Sequence, residues 1–171
     1  MDASTFTTLV QALQITVATS LIFLGGLSSC LSLWVIPLAS LLPAQQACRQ
    51  FTQTVTWGFQ YLQPSSRILG VSLLLTTLLT FQLPGEESET WKTWATALAI
   101  LVPVAPYEVY FIFPINDRVK EIGRELSTGE EEKSVKKELD ALFRTWKIRN
   151  WGRVLAPLVA GVVGWMGVVG R

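Results

Sequence analysis

The side chains of this sequence that could do chemistry gather at the ends of two apolar stretches. One carboxylate lies inside the first stretch, with an amide and an acid at its end, and two arginines and an amide precede the second stretch. The six candidates are Glu108, Asn116, Asp117, Arg149, Asn150 and Arg153. A carboxylate at the centre of a membrane helix costs about 2.5 to 3.5 kcal/mol, so Glu108 should avoid lipid. These residues predict a polar pocket inside the membrane, of the kind that serves as a proton, ion or substrate site.

Each candidate also has a simpler structural interpretation. The arginines could extend to lipid phosphates, as cations at the ends of membrane helices often do. Asp117 and Arg118 could cap and pair at a helix end, and Glu108 could form a structural ion pair with one arginine. The two interpretations differ in whether Glu108 or Asn116 lies close to Arg149.

The composition of the chain indicates a membrane protein. Half of the 171 residues are hydrophobic, 16% are charged, and the mean hydropathy is +0.38, which is high for a soluble domain. The sequence has no histidine and its two cysteines make no disulfide framework, so the commonest ligands of catalytic metals are missing and no metal site is predicted. Residues 117–153 hold ten of the fourteen basic residues but also eight of the thirteen acids, so no nucleic-acid partner is indicated.

Four apolar segments are long enough to cross a bilayer as helices, which takes roughly 20 residues. They lie at about residues 9–36, 66–83, 93–113 and 152–169, and a charged helical loop is predicted over 114–150. We therefore expect one membrane-embedded domain over residues 1–171, an all-α, four-span transmembrane helix bundle with helical extensions on the cytosolic side. Pro103 and Pro106 each remove a hydrogen bond from the third span, so a kink is expected near its middle.

The helix that leads into the last span has one apolar face. Its apolar residues recur at steps of four, three and four, namely Val135, Leu139, Leu142 and Trp146. The same spacing continues to Arg149, Asn150 and Arg153. We therefore expect this face to change from apolar to cationic where the chain enters the membrane.

The distribution of charge predicts the orientation of the protein. The two segments at residues 43–66 and 114–150 carry ten of the fourteen Lys and Arg residues. The positive-inside rule then places both segments in the cytosol and both termini outside or in the lumen. We expect a multi-pass protein of the endoplasmic reticulum or of a vesicle membrane, with the lipid bilayer as its solvent.

Three short motifs resemble those of a known family. They are Ala105-Pro106-Tyr107-Glu108, then Phe113-Pro114-Ile115-Asn116-Asp117-Arg118, and finally Trp146-x-x-Arg149-Asn150-x-x-Arg153. Together with the order of four short spans, they are similar to the anthrone oxygenase-like membrane proteins, which include fungal anthrone oxygenases of aromatic polyketide pathways. The resemblance covers essentially the whole chain.

The resemblance implies that dioxygen oxidises the central CH2 of an anthrone and gives an anthraquinone, with dioxygen as co-substrate and no other cofactor. It suggests Glu108 or Asp117 as the base. Amides and cations would bind the enolate oxygen and the peroxide, namely Asn116, Arg149, Asn150 and Arg153. The flat aromatic polyketide substrate would stack on Tyr110, Phe113, Trp146 and Trp151.

Two other classes of function remain open at this stage. A non-catalytic four-span scaffold could hold soluble pathway enzymes at the membrane through its charged segment at residues 118–150. A small-molecule exporter could use the buried polar group as a substrate or proton site. Oxygen-dependent conversion of an anthrone by membranes that contain this protein separates the oxygenase from both.

Overall fold

The computed structural model describes residues 2–127 and 132–170, and it confirms an all-α fold with no strand in those two ranges. The α-helical segments are Ala3–Cys30, Ile36–Ser40, Ala44–Trp57, Gln63–Phe81, Trp91–Leu101, Val104–Tyr107, Phe113–Ser127 and Glu132–Val169. Three π-helical turns lie between them, at Leu31–Val35, Gly58–Leu62 and Glu108–Ile112, and a 3-10 helix covers Gly85–Thr90.

These segments join into four long helices that are apolar enough to cross a membrane. They are α1 (Ser4–Ser40), α2 (Ala44–Phe81), α3 (Glu87–Leu126) and α4 (Val135–Val169). At 1.5 Å per residue, helices of 35 to 40 residues are about 52 to 60 Å long, whereas the bilayer core is about 30 Å thick. Each predicted span is therefore the apolar part of a longer helix, because amphipathic sequence continues the helix beyond it.

The third helix is interrupted at the prolines, as the sequence predicts. α-Helical hydrogen bonding stops after Leu101, resumes at Val104 and changes to a π-helical turn at Glu108. Pro103 and Pro106 cannot donate backbone hydrogen bonds, so the ladder breaks within this stretch.

The contacts of the chain divide it into two units. The first unit comprises the described residues of Met1–Gly26, Pro64–Pro103 and Val154–Arg171. Its core contains Val17, Ala18, Leu21, Leu73, Trp94, Ala97 and Ala160. Gly161 lets α4 approach α1 closely, since a Cβ atom there would lie 2.9 Å from the Ala18 carbonyl oxygen. The exposed surface of this unit carries many large apolar side chains, which suits lipid.

The second unit comprises Leu27–Gln63 and the described residues of Val104–Arg153. The apolar face predicted in α4 lies in its core: Val135, Leu139 and Trp146 are buried, and Leu142 packs against them from a partly buried position. The ring of Phe51 stacks on Phe143 with centroids 5.2 Å apart and meets Trp146 edge-on at 5.7 Å. This packing places the cationic continuation of the α4 face beside α3.

The charged stretch at 114–150 is helical on both sides of the residues that the structure leaves undescribed. Arg118 of α3 binds Glu138 of α4 through two hydrogen bonds of 2.7 and 3.1 Å, and it also contacts Glu121 and Glu125. Lys136 donates to the carbonyl of Ser40 at 2.8 Å, at the end of α1. These contacts stabilise the packing of α3, α4 and α1 within the second unit.

Candidate functional site

Three π-helical turns contribute to one small cavity in the second unit. Leu31 comes from the turn of α1, Gly58 and Phe59 from the turn of α2, and Glu108 and Ile112 from the turn of α3. A π-helical turn shifts the side chains after it around the helix axis, and such turns are frequent at functional sites. The cavity has a volume of about 40 Å³, enough for a molecule the size of water or dioxygen but far below that of a three-ring compound.

The polar wall of the cavity centres on an ion pair. Nε of Arg153 lies 2.6 Å from Oε1 of Glu108 in this ion pair, and the two side chains are only 19% and 17% exposed. Both residues line the cavity, together with Gln63 and Asn116. The carboxylate from the third helix and a cation from the fourth therefore meet beside the same small space.

Asn150 positions Arg153 from behind. Its side chain is fully buried, and its amide group donates to the Ser28 carbonyl at 3.0 Å and to the Ser32 hydroxyl at 2.9 Å. The carbonyl oxygen of Asn150 accepts a longer hydrogen bond of 3.4 Å from Arg153. Ser32 in turn donates to the Lys147 carbonyl at 3.3 Å. The guanidinium is thus held between a carboxylate on α3 and an amide that is anchored to α1.

Asn116 lies on the cavity wall beside an indole ring. The Trp146 N–H donates to Oδ1 of Asn116 at 2.9 Å, and both residues line the cavity. Because the carbonyl oxygen accepts from the indole, the NH2 group of Asn116 is the side that can donate to a ligand. Phe113 and Phe59 also line the cavity, with ring centroids 6.0 Å apart.

Arg149 lies outside this cavity. It donates to the Phe111 carbonyl at 3.0 Å, and its guanidinium carbon lies 5.6 Å from the centroid of the Phe111 ring. The Tyr107 hydroxyl donates to the Arg149 carbonyl at 2.7 Å. These contacts join α3 and α4 on both sides of Glu108, so Arg149 positions the helices rather than facing the cavity.

Besides Asn150 and Arg149, three further predicted site residues do not line the cavity. The Asp117 side chain is 76% exposed and lies 3.9 Å from Lys120. Tyr110 and Trp151 are also exposed. Successive helix positions are rotated by about 100°, so Asp117 points away when Asn116 faces inward, and the same rotation separates Trp151 from Asn150. Asp117 lies within the helix Phe113–Ser127 and contacts Lys120, so it does not form the helix-end pair with Arg118. The exposed positions of Tyr110 and Trp151 suit side chains at the membrane interface.

Exposed Trp and Tyr side chains occur on all four long helices within the second unit, and we call this set the aromatic belt. Its members are Trp34, Trp57, Tyr61, Tyr110 and Trp151. Trp and Tyr favour the boundary between hydrocarbon and water. We therefore expect the membrane surface near these residues.

Sequence reasoning missed several residues that shape the site. Tyr107, Ser28, Ser32 and Phe59 were not among the candidates, although Tyr107 directly precedes Glu108. Gly152 is a signal that could have indicated the close contact of α3 and α4, because a Cβ atom there would lie 2.8 Å from the Tyr107 ring. Within residues 2–127 and 132–170, no cluster of three or more Asp, Glu, Cys or His side chains could hold a metal ion.

A family model described as anthrone oxygenase matches residues 51–163, about two thirds of the chain. The chain belongs to the anthrone oxygenase family. No curated protein and no solved structure matches the chain. The matched range, residues 51–163, contains Glu108, Asn116, Trp146, Asn150 and Arg153. Ser28 and Ser32, which anchor Asn150, lie outside the matched range.

Proposed function

We propose that the protein is a membrane oxygenase that converts an anthrone to the anthraquinone with dioxygen as co-substrate and no other cofactor. The observation that carries this proposal is the Glu108–Arg153 pair at the wall of a cavity that also contains the Asn116 amide. It supplies a base, a cation and a hydrogen-bond donor next to aromatic rings, the groups that such an oxidation needs.

The reaction can draw its electrons from the substrate. Removal of one proton from the doubly benzylic CH2 gives a delocalised anthrolate anion, which passes an electron to dioxygen. Recombination of the two radicals forms a C–O bond and a peroxide anion at that carbon, which takes back the proton from the base to give the hydroperoxide. Loss of water, with the second hydrogen of the CH2, leaves the new carbonyl, so one anthrone and one dioxygen give one anthraquinone and one water.

The positions of three side chains suggest their roles. Glu108 accepts the proton from the CH2 group. Protonation of the carboxylate weakens its attraction for Arg153, so the guanidinium can then stabilise the enolate oxygen or the peroxide anion. An interaction that strengthens as charge develops lowers the barrier more than one that binds substrate and transition state equally. The NH2 group of Asn116 is a second donor for the same anion.

Entry of a three-ring substrate requires the cavity to open. We assign this movement to Phe59, because its side chain lines the cavity while remaining half exposed. It follows Gly58 in a π-helical turn and lies between the belt residues Trp57 and Tyr61. Its position supports entry of an apolar substrate from the membrane, whereas the closed volume suits the smaller dioxygen.

The proposed setting follows from the charge of the chain. Four apolar helices fit a multi-pass membrane protein. We further propose an endoplasmic reticulum or vesicle membrane, with both termini in the lumen and an aromatic polyketide pathway as the source of the anthrone. Soluble enzymes of such a pathway would reach the protein from the cytosolic side.

Membranes that contain only this protein test the proposal. They are supplied with an anthrone in air or under argon, and the quinone is followed by its visible absorption against protein-free membranes. Faster quinone formation that requires oxygen supports the proposal. An oxygen-dependent rate equal to that of protein-free membranes contradicts it and favours the scaffold or the exporter.

A further inference from the structure

A second, more open depression lies in the same unit, between α2 and α3. Its volume is about 430 Å³, within the range of roughly 300 to 1,000 Å³ that is typical of ligand sites. At its floor the helices approach closely, since a Cβ atom on Gly123 would lie 3.2 Å from the Cβ of Cys48. No described residue lines both this groove and the cavity at Glu108, so the groove is separate from the proposed oxygenase site.

Among the described residues that line the groove, three are cations and none is a carboxylate. Arg49 comes from α2, and Lys120 and Arg124 come from α3. Gln45, Gln53 and Thr52 add neutral hydrogen-bonding groups along the α2 side. Cations that line a concave surface of one sign raise the local concentration of anions.

Two acids of α3 are bound to an arginine outside the groove. Glu121 and Glu125 bind Arg118, which also binds Glu138 of α4. Asp117 contacts Lys120 only at 3.9 Å. Glu121, Glu125 and Glu138 are thus gathered around Arg118, which is not among the described residues that line the groove.

The groove lies on the polar side of the aromatic belt. Arg49 precedes the belt residue Trp57 by eight positions in one helix, which corresponds to about 12 Å along its axis. The outer surface of α2 around Arg49 is polar, with exposed Gln45, Gln46 and Gln53. We therefore expect the groove to lie at the level of the lipid headgroups or of the adjacent water, and not in the hydrocarbon core.

We propose that this groove binds a phosphate-bearing anion, either the phosphorylated headgroup of a lipid or a soluble phosphate ester. A phosphate monoester carries about −1.5 to −2 charges at pH 7 and has three strong acceptor oxygens. Arginine forks match this geometry, and lysine adds a compact charge. The ligand would attach the protein to anionic lipid or a phosphorylated metabolite without touching the oxidation site.

Binding is measured with the full chain in nanodiscs, with one arm for each source of the phosphate. In the soluble arm, pyrophosphate is titrated by calorimetry into nanodiscs of phosphatidylcholine. In the lipid arm, retention of phosphatidylinositol phosphate is counted by native mass spectrometry. The test variant is Arg49→Gln with Lys120→Gln, and Arg144→Gln is the matched control, because Arg144 is exposed on α4 and does not line the groove.

The wild-type protein is expected to bind at least one probe, and the double variant should bind it about tenfold or more weakly, since two charge-assisted hydrogen bonds are lost. The Arg144 control should bind like the wild type. Binding in one arm only assigns the source and supports the proposal. No binding of either probe at low salt, or equal weakening by the double variant and the control in folded protein, would overturn it.

Discussion

At the scale of single residues, the site depends on how one arginine is held. Arg153 contacts Glu108 directly and Asn150 from behind, and Asn150 is itself anchored to two serines of α1. A buried amide with satisfied hydrogen bonds fixes the direction of the cation next to it. The precision of the proposed base and anion site therefore depends on a side chain that does not line the cavity.

Replacing Asn150 should impair both stability and turnover. Asn150→Leu removes three hydrogen bonds from a fully buried position, and the loss of buried hydrogen bonds costs about 1 to 3 kcal/mol. The unfolding temperature in detergent should fall. The kcat for quinone formation, measured per folded protein, should fall as well, because Arg153 is no longer held in place. Ile148→Ala is the control on the same helix, at an exposed position, and should change neither. An unchanged kcat in folded Asn150→Leu would argue against this positioning role.

At the scale of elements, part of the arrangement was predictable from the sequence and part was not. The apolar face of α4 and its continuation into Asn150 and Arg153 follow from helical periodicity. The choice between Asn116 and Asp117 does not, because it depends on which face of α3 packs on α4. The three π-helical turns depend on tertiary packing in the same way, and the pairing of Ser32 with Asn150 joins residues 118 positions apart.

The contact of α3 with α4 should be sensitive to a single methyl group. In Gly152→Ala the new Cβ atom would lie 2.8 Å from the Tyr107 ring, so the ring or the helix must shift. Overpacking of this kind costs about 1 to 3 kcal/mol. Gly70→Ala, where nothing lies within 4 Å of the new atom, should be neutral or slightly stabilising. Equal unfolding temperatures for the two variants would contradict the contact.

The π-helical turn of α2 should control which substrates enter. Phe59→Ala removes a ring that lines the cavity, so kcat/KM should rise several-fold for an anthrone with bulky ring substituents relative to an unsubstituted one. Trp57→Ala removes a neighbouring exposed ring that does not line the cavity, and the ratio of the two kcat/KM values should stay the same. An unchanged ratio in Phe59→Ala would place the entrance elsewhere.

At the scale of the whole molecule, the membrane determines the order of polar and apolar surface. The positions of the apolar segments in the sequence are sufficient to predict four apolar helices, but not that each continues to 35 residues or more. The amphipathic stretches 44–57 and 113–127 extend α2 and α3 beyond their apolar parts, and they pack against one another in the core of the second unit. The same stretches carry the cationic groove, so the polar part of the chain contains a feature that hydropathy alone does not indicate.

The proposed topology predicts that both ends of the chain lie on one side of the membrane. Four crossings return the chain to its starting side, and the positive-inside rule makes that side the lumen. Epitope tags at the two termini should therefore both resist protease in sealed microsomes and both become accessible after detergent is added. A tag at the connection between α3 and α4 is the control that should be cleaved at once. Opposite protection of the two termini would exclude four crossings.

The most direct test of the central claim is the turnover of two carboxylate variants in the same membranes. Glu108→Gln removes the carboxylate that pairs with Arg153 at the cavity, and Asp117→Asn removes an exposed carboxylate nine residues later. The account predicts that oxygen-dependent quinone formation falls about 10²- to 10⁴-fold in Glu108→Gln and stays near the wild-type rate in Asp117→Asn. Full turnover in a well-folded Glu108→Gln variant would contradict the assignment of Glu108 as the base.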